Sequence, residues 1–486
     1  MIAEALREAQ RRTSTSRFEE FQHQYRYKPA AFVHDLVSFD GLSQDGPTKY
    51  QDEILQLIPD EKRVAVRGPH GVGKSCLSAW VVLWAVLTAD DCKVPTTASA
   101  WRQLTKYLWP EIHKWAPRLN WAAIGREPFN SNELMKRSLS RLPTCEAFAV
   151  ASNNSAYIEG AHAQRICYVY DEAKAIPNET WDASEGAFAG AGEDTTAEGY
   201  ALAISTPGAP MGRFYDIHKR KRGTEDWHAY HITLEMGIKA GMISRQWATQ
   251  RAKLWGVDSP LYQNRVLGEF AKSGDDVAIP LAWVEAANER WHEWVEQGRP
   301  DPQGERVLGV DIARYGDDNS CIAERIGNVV TELEKWGKEG LMATTGRIKN
   351  RLGRDRAQID LIGMGAGVYD RLVEQGCDVV PIDFREKSDW TDISGEVEMY
   401  NLRAAAWWSL REGLDPDTKG EPILLPPDDE LTGDLTTPKY GYMSSGKLKI
   451  ESKEDIKKRL GHSPDTGDSV VISFWEDEGG WSWFAG

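Results

Sequence analysis

The sequence predicts two α/β domains joined by a helical segment, and three observations carry this prediction. Short apolar runs typical of buried parallel strands alternate with helical patterns in the first half of the chain. A glycine-rich loop with a lysine and a serine lies between one such strand and a helix. A second series of apolar strands carries buried aspartates in the last third. At 486 residues, the chain is also longer than one hydrophobic core needs.

The glycine-rich loop follows the apolar strand pattern of residues 63–66 and leads directly into a helix pattern. Its glycines let backbone N–H groups approach phosphate oxygens without interference from a Cβ atom. Lys74 supplies positive charge, and the Ser75 hydroxyl suits Mg²⁺ coordination. The sequence therefore predicts a nucleoside triphosphate site formed by Gly68, Pro69, His70, Gly71, Val72, Gly73, Lys74 and Ser75.

A second predicted strand begins at Arg165 and ends in Asp171 and Glu172. The carboxyl ends of parallel strands face the ligand crevice in a doubly wound sheet, so both carboxylates are expected there. We expect Asp171 to hold Mg²⁺ and Glu172 to orient and deprotonate the attacking water. A third strand, residues 201–204, ends in hydroxyl groups that suit coupling of hydrolysis to movement.

Gln51 opens a predicted helix shortly before the strand that leads into the glycine-rich loop. Its side-chain amide can both donate and accept a hydrogen bond, as recognition of an adenine edge requires. We therefore include Gln51 among the candidate nucleotide-binding residues.

Composition changes along the chain suggest four segments. Residues 1–48 form a charged helical arm, and residues 49–234 form the nucleotide-binding domain. Residues 235–302, rich in helical patterns with tryptophan and arginine, form a linker subdomain. Residues 303–486 return to alternating strands and helices, with a hairpin turn predicted at residues 316–319.

Aspartates in apolar strands are the chemical signal of the last segment. Asp311 lies within one apolar strand pattern, Asp360 within another, and Asp465 and Asp468 lie close together near the end. A buried carboxylate is costly unless it is paired or bound to a cation. Three acidic points in one domain fit a phosphodiester-cleaving site with two divalent ions. The alternative is that these aspartates only cap turns and helices.

The formal net charge of −16 excludes a protein that coats nucleic acid uniformly with positive charge. Contact with DNA must therefore be local. Three basic patches are candidates: residues 218–222, the arginines and lysine between residues 347 and 356, and residues 457–459.

The six cysteines are scattered without a Cys-x-x-Cys pair or a zinc-type spacing, which indicates thiols in a reducing compartment. The first residues lack the apolar core of a signal peptide, and the longest apolar run, residues 77–87, is shorter than a membrane span. We therefore expect a cytosolic protein.

Taken in order, these motifs resemble the large subunit of tailed-bacteriophage DNA-packaging terminases. The resemblance extends from about residue 27 to about residue 471. It depends on Gln51, the loop from Gly68 to Ser75, the Asp171–Glu172 strand end, the hydroxyl residues 205–206, and the aspartates 311, 360, 465 and 468.

The resemblance implies a P-loop ATPase domain followed by a ribonuclease-H-like α/β nuclease domain. It implies Glu172 as a catalytic carboxylate, with Asp311, Asp360 and either Asp465 or Asp468 as nuclease metal ligands. The arginine at the γ-phosphate is either Arg67 or an arginine from a neighbouring subunit.

The same resemblance implies ATP with Mg²⁺ in the motor, and Mg²⁺ or Mn²⁺ in the nuclease. Implied partners are double-stranded viral DNA, the portal protein of a procapsid, a small terminase subunit and further copies of the chain in a packaging ring. The location is then the host cytoplasm, with transient docking on the procapsid and no membrane contact. The alternative is a P-loop helicase or DNA-repair ATPase whose second domain is not catalytic.

Overall fold

A computed structural model of the chain describes residues 17–476, except 152–162, 189, 191–195, 272–275, 314–318, 338 and 419. The chain divides into two compact units. The first comprises Met1–Trp247 and Asn264–Phe270, and the second comprises Ala248–Gln263 and Ala271–Gly486. Segment 235–302 thus contributes residues to both units, and the division into the four predicted segments stays a prediction.

The first unit contains an eight-stranded sheet in the order β3-β4-β5-β2-β6-β7-β1-β8. Strands β5, β2, β6, β7, β1 and β8 are parallel to one another. At one edge, β4 pairs antiparallel with β5, and β3 pairs antiparallel with β4. The strands are β1 (Arg63–Arg67), β2 (Cys92–Ala98), β3 (Leu134–Met135), β4 (Ser138–Leu142), β5 (Cys145–Ala151), β6 (Arg165–Asp171), β7 (Glu198–Ser205) and β8 (His228–His231).

Helices pack around this sheet as the doubly wound prediction requires. Residues 17–25 are helical, and a π-helical turn at Leu104–Leu108 continues into the following α-helix. The α-helices are α1 (Pro29–Leu36), α2 (Lys49–Glu61), α3 (Lys74–Leu87), α4 (Trp101–Gln103), α5 (Trp109–Trp115), α6 (Trp121–Ile124), α7 (Asn178–Phe188), α8 (Gly212–His218) and α9 (Leu234–Lys239).

Local sequence explains the two helices that flank the glycine-rich loop. Helix α2 begins with a capping box, in which the Thr48 hydroxyl accepts from the Gln51 amide and the Gln51 side chain accepts from the Thr48 amide. Helix α3 is buried at every position from Leu77 to Leu87, as its continuous apolar run requires. The loop is therefore fixed by a capped helix on one side and a core helix on the other.

The second unit contains a five-stranded sheet in the order β11-β10-β9-β12-β13. The first three strands in sequence are antiparallel, and β12 and β13 add parallel strands beside β9. This topology confirms the ribonuclease-H-like fold. The strands are β9 (Arg306–Asp311), β10 (Ser320–Ile326), β11 (Val329–Trp336), β12 (Arg356–Asp360) and β13 (Val379–Ile382), with a separate hairpin of β14 (Tyr440–Tyr442) and β15 (Leu448–Ile450).

The remaining helices begin with α10 (Arg245–Trp255), which the unit boundary divides. The others are α11 (Pro260–Tyr262), α12 (Leu281–Glu296), α13 (Leu341–Leu352), α14 (Gly365–Glu374), α15 (Leu402–Leu414), α16 (Asp429–Thr436), α17 (Lys453–Leu460) and α18 (Asp465–Phe474). Of the predicted hairpin turn at residues 316–319, all but Asn319 lies outside the described residues.

Helix α18 lies unusually close to the second sheet because Gly309 of β9 has no side chain. A Cβ atom at this position would lie 2.1 Å from the Ser469 carbonyl oxygen and 2.5 Å from the Ser473 amide nitrogen. Any other residue would therefore push α18 away from β9.

Among the described residues, no helix has both the length and the apolar character of a membrane span.

Candidate functional site

The glycine-rich loop leaves β1 and ends at the first turn of α3. Gly71 and Gly73 have φ angles of 80° and 74°, the left-handed region that glycine adopts without strain. Gly73 is the N-cap of α3 and provides no side chain to bind the first-turn N–H groups. These donors and the helix dipole are therefore arranged for an anion.

Lys74 lies across the inside of its own loop. Its ammonium donates to the carbonyl oxygens of Pro69 at 2.7 Å and Gly68 at 3.3 Å. Burial lowers the pKa of Lys74 to about 8, although the charges of Glu172 and Asp171 act in the opposite direction. Ser75 follows in the first turn of α3 and is half-buried.

Strand order brings the acidic pair to the glycine-rich loop. Strand β7 lies between β6 and β1, and register pairs Asp171 with Ile204 and Arg67 with Ser205. Asp171 is 6% exposed. Burial, and then the charge of Glu172, raises the pKa of Asp171 to about 7.

Ser205 connects the loop with the second carboxylate. Its hydroxyl donates to Glu172 Oε2 at 2.8 Å, and its carbonyl oxygen accepts from the Gly68 amide at 3.2 Å. Glu172 has a φ of 48°, which is strained for a residue with a side chain. Such strain persists where the surroundings hold a functional group in place.

The structure places the other predicted loop residues as follows. Val72 is buried and its carbonyl oxygen accepts from Tyr50, whereas His70 is exposed at the tip. The side-chain amide of Gln51 donates to the Gly73 carbonyl oxygen at 3.3 Å and so stabilises the loop. Arg67 is bonded to Gly268 and Glu269 and lies over the Phe270 ring. The adenine role of Gln51 and the γ-phosphate role of Arg67 stay predictions.

In the second unit, the predicted aspartates converge on a lysine that the sequence analysis did not select. Asp311 ends β9 and Asp360 ends the adjacent parallel strand β12. The Lys453 ammonium lies 2.7 Å from Asp311, 3.0 Å from Asp360 and 3.2 Å from Asp468, in each case from Oδ2.

Asp468 is the most firmly held of these carboxylates. It is fully buried in α18, and its Oδ1 accepts from Arg403 and from the Trp407 indole, both at 2.8 Å. Asp465 lies one turn earlier on the same helix and is 8% exposed. The structure therefore brings both terminal aspartates to the same cluster.

The electrostatics of this cluster are those of a cation site. Burial raises the pKa of Asp311 well above its usual value, and the charges of Asp465, Asp360 and Asp468 raise it further, against the opposing effect of Lys453. Burial alone would lower the pKa of Lys453, but the four carboxylates raise it well above its usual value.

Divalent metal ions prefer carboxylate oxygens, so this donor set fits them. Among the described residues, however, no three acidic, histidine or cysteine side chains stand together as a ready metal cage. The Lys453 ammonium lies within 3.2 Å of three of these carboxylates, in the space between them. A metal ion would therefore have to displace this ammonium.

The basic patches differ in how far acids neutralise them. Arg347 and Arg351 are paired with glutamates of β11, and Arg459 is paired with Glu451. In contrast, residues 219–222 after α8 are all exposed, and one ion pair within that stretch joins Lys221 to Asp216 at 2.7 Å. The stretch 219–222 is therefore the strongest of the three candidates for DNA contact.

Comparison with known proteins finds similarity to terminase large subunits. No protein-family profile matches the chain. The chain is 25% identical over 483 residues to the probable large terminase subunit of Enterobacteria phage P7, covering 92% of each protein.

Two solved structures are also similar. The nuclease domain of the large terminase subunit gp2 of bacterial virus Sf6 is 23% identical, covers 40% of this chain and 97% of its own, and has a TM-score of 0.34. A large terminase from a thermophilic bacteriophage is 12% identical, covers 87% and 98%, and has a TM-score of 0.39.

Proposed function

We propose that this chain, a relative of the large terminase subunits over nearly its whole length, is the packaging motor and DNA-cutting subunit of a tailed phage. In this role it hydrolyses ATP to move double-stranded viral DNA into a procapsid, and it cuts concatemeric DNA. The observation that carries the proposal is the presence of two separate carboxylate sites in one chain. One lies beside the glycine-rich loop, and the other surrounds the Lys453 ammonium.

The first unit supplies the groups that ATP hydrolysis requires. The loop N–H groups and Lys74 bind the phosphates, and Ser75 and Asp171 hold Mg²⁺, which neutralises phosphate charge when bound. Glu172 accepts the proton of the attacking water. Ser205 ends β7 and is hydrogen-bonded to Glu172 and to the backbone of the loop. A change in conformation at the phosphate site would therefore be transmitted to β7 through Ser205.

The second unit supplies the groups that metal-dependent phosphodiester cleavage requires. Asp311 and Asp360 hold the divalent ions, which activate water and stabilise the leaving oxygen when bound. Asp468 is the anchored third carboxylate, since Arg403 and Trp407 fix its Oδ1. Asp465 is the ligand nearer to solvent, and Lys453 offsets part of the negative charge of the cluster until metal enters.

The finer partners follow from the same proposal. We expect the exposed residues 219–222 to contact DNA phosphates, because they are a local exception to the net charge of −16. We also expect docking on the portal protein, cooperation with a small terminase subunit, and assembly of several copies into a ring on a procapsid in the host cytoplasm. The γ-phosphate arginine is then Arg67 or an arginine of the adjacent copy.

One experiment tests the proposal directly. The purified full chain is incubated with supercoiled plasmid in EDTA, Mg²⁺ or Mn²⁺, and ATP hydrolysis is measured in the same preparation. We expect cleavage with a divalent ion, no cleavage in EDTA, and ATP hydrolysis that requires Mg²⁺. Hydrolysis without cleavage under any of these conditions would contradict the nuclease and favour the helicase or repair ATPase with a non-catalytic second domain.

A further inference from the structure

Helix α18 carries Asp465 and Asp468 in its first turn, but it does not cap itself. Its N-cap residue is Pro464, which makes no side-chain hydrogen bond to the helix. The first N–H groups of any helix lack partners within the helix and must be satisfied elsewhere. At this helix, the missing acceptor comes from a distant part of the chain.

Asp434 of α16 provides that acceptor. Its Oδ2 accepts from the backbone amides of Thr466 and Gly467, both at 3.1 Å, and the residue is 3% exposed. A side-chain oxygen at a helix N-terminus stabilises the helix by accepting from N–H groups that have no partner within the helix. A buried carboxyl group therefore holds the turn that carries two candidate metal ligands.

The fit between Asp434 and this turn is close. A Cβ atom at Gly467 would lie 2.8 Å from the Asp434 Cβ, so only glycine allows this approach without a shift. On the same helix as Asp434, Glu430 accepts from the Thr466 hydroxyl at 3.3 Å and is paired with Lys335 at 3.0 Å. The contact therefore involves backbone, side chains and packing together.

The far end of α18 is held in the same way. Arg325 of β10 is 2% exposed and donates to the Ser473 carbonyl oxygen at 2.5 Å. Gln358 of β12 donates to the Trp475 carbonyl oxygen at 2.8 Å. The Asp434 side chain thus contacts the N-terminus of α18, and the Arg325 and Gln358 side chains contact its C-terminus.

We propose that Asp434 is a positioning residue that sets where Asp465 and Asp468 stand around the divalent ion. This inference rests on the proposed nuclease function. Asp434 does not touch the metal; it fixes the backbone of the turn from which two ligands project. Loss of a residue that orients metal ligands without binding the metal itself typically weakens metal binding by about 10–100-fold.

Direct Mn²⁺ binding to the full chain, followed by the electron paramagnetic resonance signal of free Mn²⁺, tests this role without relying on cleavage. Asp434→Ala should weaken Mn²⁺ binding by about 10–100-fold. It should also speed hydrogen exchange at the amides of Thr466 and Gly467. Asp434→Asn keeps an acceptor oxygen and should restore most of the affinity. Asp429→Ala, an exposed change on the same helix, should bind Mn²⁺ like the wild type.

Unchanged Mn²⁺ affinity in Asp434→Ala would overturn the proposal, as would Asp434→Asn binding as weakly as Asp434→Ala. If Asp434→Ala does not fold, Gly467→Ala provides the second test. Alanine favours helix more than glycine does, yet its methyl group should displace the turn and weaken Mn²⁺ binding. Wild-type affinity in Gly467→Ala would then overturn the proposal.

The wild-type controls separate this proposal from the one it rests on. A wild-type chain that binds Mn²⁺ but leaves plasmid uncut would contradict the nuclease alone. A wild-type chain that cuts plasmid, with Asp434→Ala binding Mn²⁺ normally, would contradict only the positioning role. A wild-type chain that binds no Mn²⁺ would contradict both.

Discussion

The two carboxylate sites contain the same kinds of side chain but differ in the balance of positive and negative charge. Each contains a buried lysine and carboxylates at or next to the carboxyl ends of parallel strands. In the first, Lys74 bonds to the carbonyl oxygens of its own loop. In the second, Lys453 lies between Asp311, Asp360 and Asp468.

The pKa values show what each site lacks. Burial lowers the pKa of Lys74 to about 8 because only two carboxylates oppose it. Around Lys453, four carboxylates overcome burial and raise its pKa. The first site therefore has positive charge in need of an anion such as a phosphate, whereas the second has excess negative charge in need of a cation.

The largest effect is expected at the carboxylates of the second site. Asp311→Asn or Asp360→Asn should abolish metal-dependent plasmid cleavage, because each removes a charge that holds the divalent ions. ATP hydrolysis should stay close to wild type, since the first unit has its own core. Plasmid cleavage in Mn²⁺, with ATP hydrolysis as the control, checks this.

The terminal aspartates refine that test. Asp465→Asn and Asp468→Asn are made separately, with a thermal melt of each, because Asp468 also bonds to Arg403 and Trp407. If all four variants cut DNA like the wild type, the second unit is not a nuclease.

At the first site, Glu172→Gln should lower ATP turnover by about 10²–10⁴-fold, since the amide is nearly isosteric but cannot act as a base. Nucleotide binding, measured with a fluorescent ATP analogue, should remain, whereas Lys74→Ala should weaken it. Turnover by Glu172→Gln within a few-fold of wild type would assign the base to another residue.

Lys453→Met tests whether the Lys453 ammonium, unlike that of Lys74, compensates buried carboxylates and competes with a metal ion for them. Removing one partner of a buried ion pair costs about 3–5 kcal/mol, because the remaining charges lose compensation. The melting temperature in EDTA should therefore fall, and Mn²⁺ should raise it by more than it raises the wild type, since the ion no longer competes with an ammonium. Equal melting curves for both proteins, with and without Mn²⁺, would contradict the placement of Lys453.

The pH dependence of stability tests the environment of Asp171 without nucleotide or Mg²⁺. In the native state this carboxyl keeps its proton up to about pH 7, whereas an unfolded aspartate loses it near pH 4. The native state thus binds more protons in this window, so its contribution to the free energy of unfolding falls as pH rises from about 4 to 7. Asp171→Asn should lack this fall in denaturant titrations across the window. A difference between the two proteins that is independent of pH would contradict the raised pKa.

The smallest expected effect concerns DNA contact. Neutralising the four basic residues Lys219, Arg220, Lys221 and Arg222 should weaken DNA binding. It should also reduce the slope of log K against log salt concentration by about one for each lost phosphate contact. The total should be less than four units, because Lys221 already pairs with Asp216. Arg371→Ala, at an exposed arginine paired with Glu374, is the control. Equal slopes for the patch variant and the control would show that residues 219–222 do not contact DNA.

The contrast between the sites also explains how much the sequence could predict. The phosphate site is nearly contiguous, and the strand patterns leading to Gly68, Asp171 and Ser205 predicted β1, β6 and β7 correctly. The apolar strand patterns around Asp311 and Asp360 likewise correspond to β9 and β12. Strands β3, β4 and β8 were missed, since they are short or only half-buried.

The second site could be predicted only in part because it is assembled from distant residues. Its aspartates are marked by apolar neighbours, but Lys453 sits in the polar sequence Glu-Ser-Lys-Glu and resembles any surface lysine. Asp434 and Arg403 are equally inconspicuous. Their roles depend on tertiary contacts with α18, which no local pattern encodes.

The most direct test of two independent sites measures both reactions in the same preparations of three proteins: the wild type, Glu172→Gln and Asp311→Asn. The wild type should hydrolyse ATP with Mg²⁺ and cut plasmid with Mn²⁺. Glu172→Gln should lose hydrolysis and keep cleavage, and Asp311→Asn should keep hydrolysis and lose cleavage. A correctly folded single variant that loses both reactions, or a wild type that lacks either one, would contradict the assignment of one chemistry to each carboxylate site.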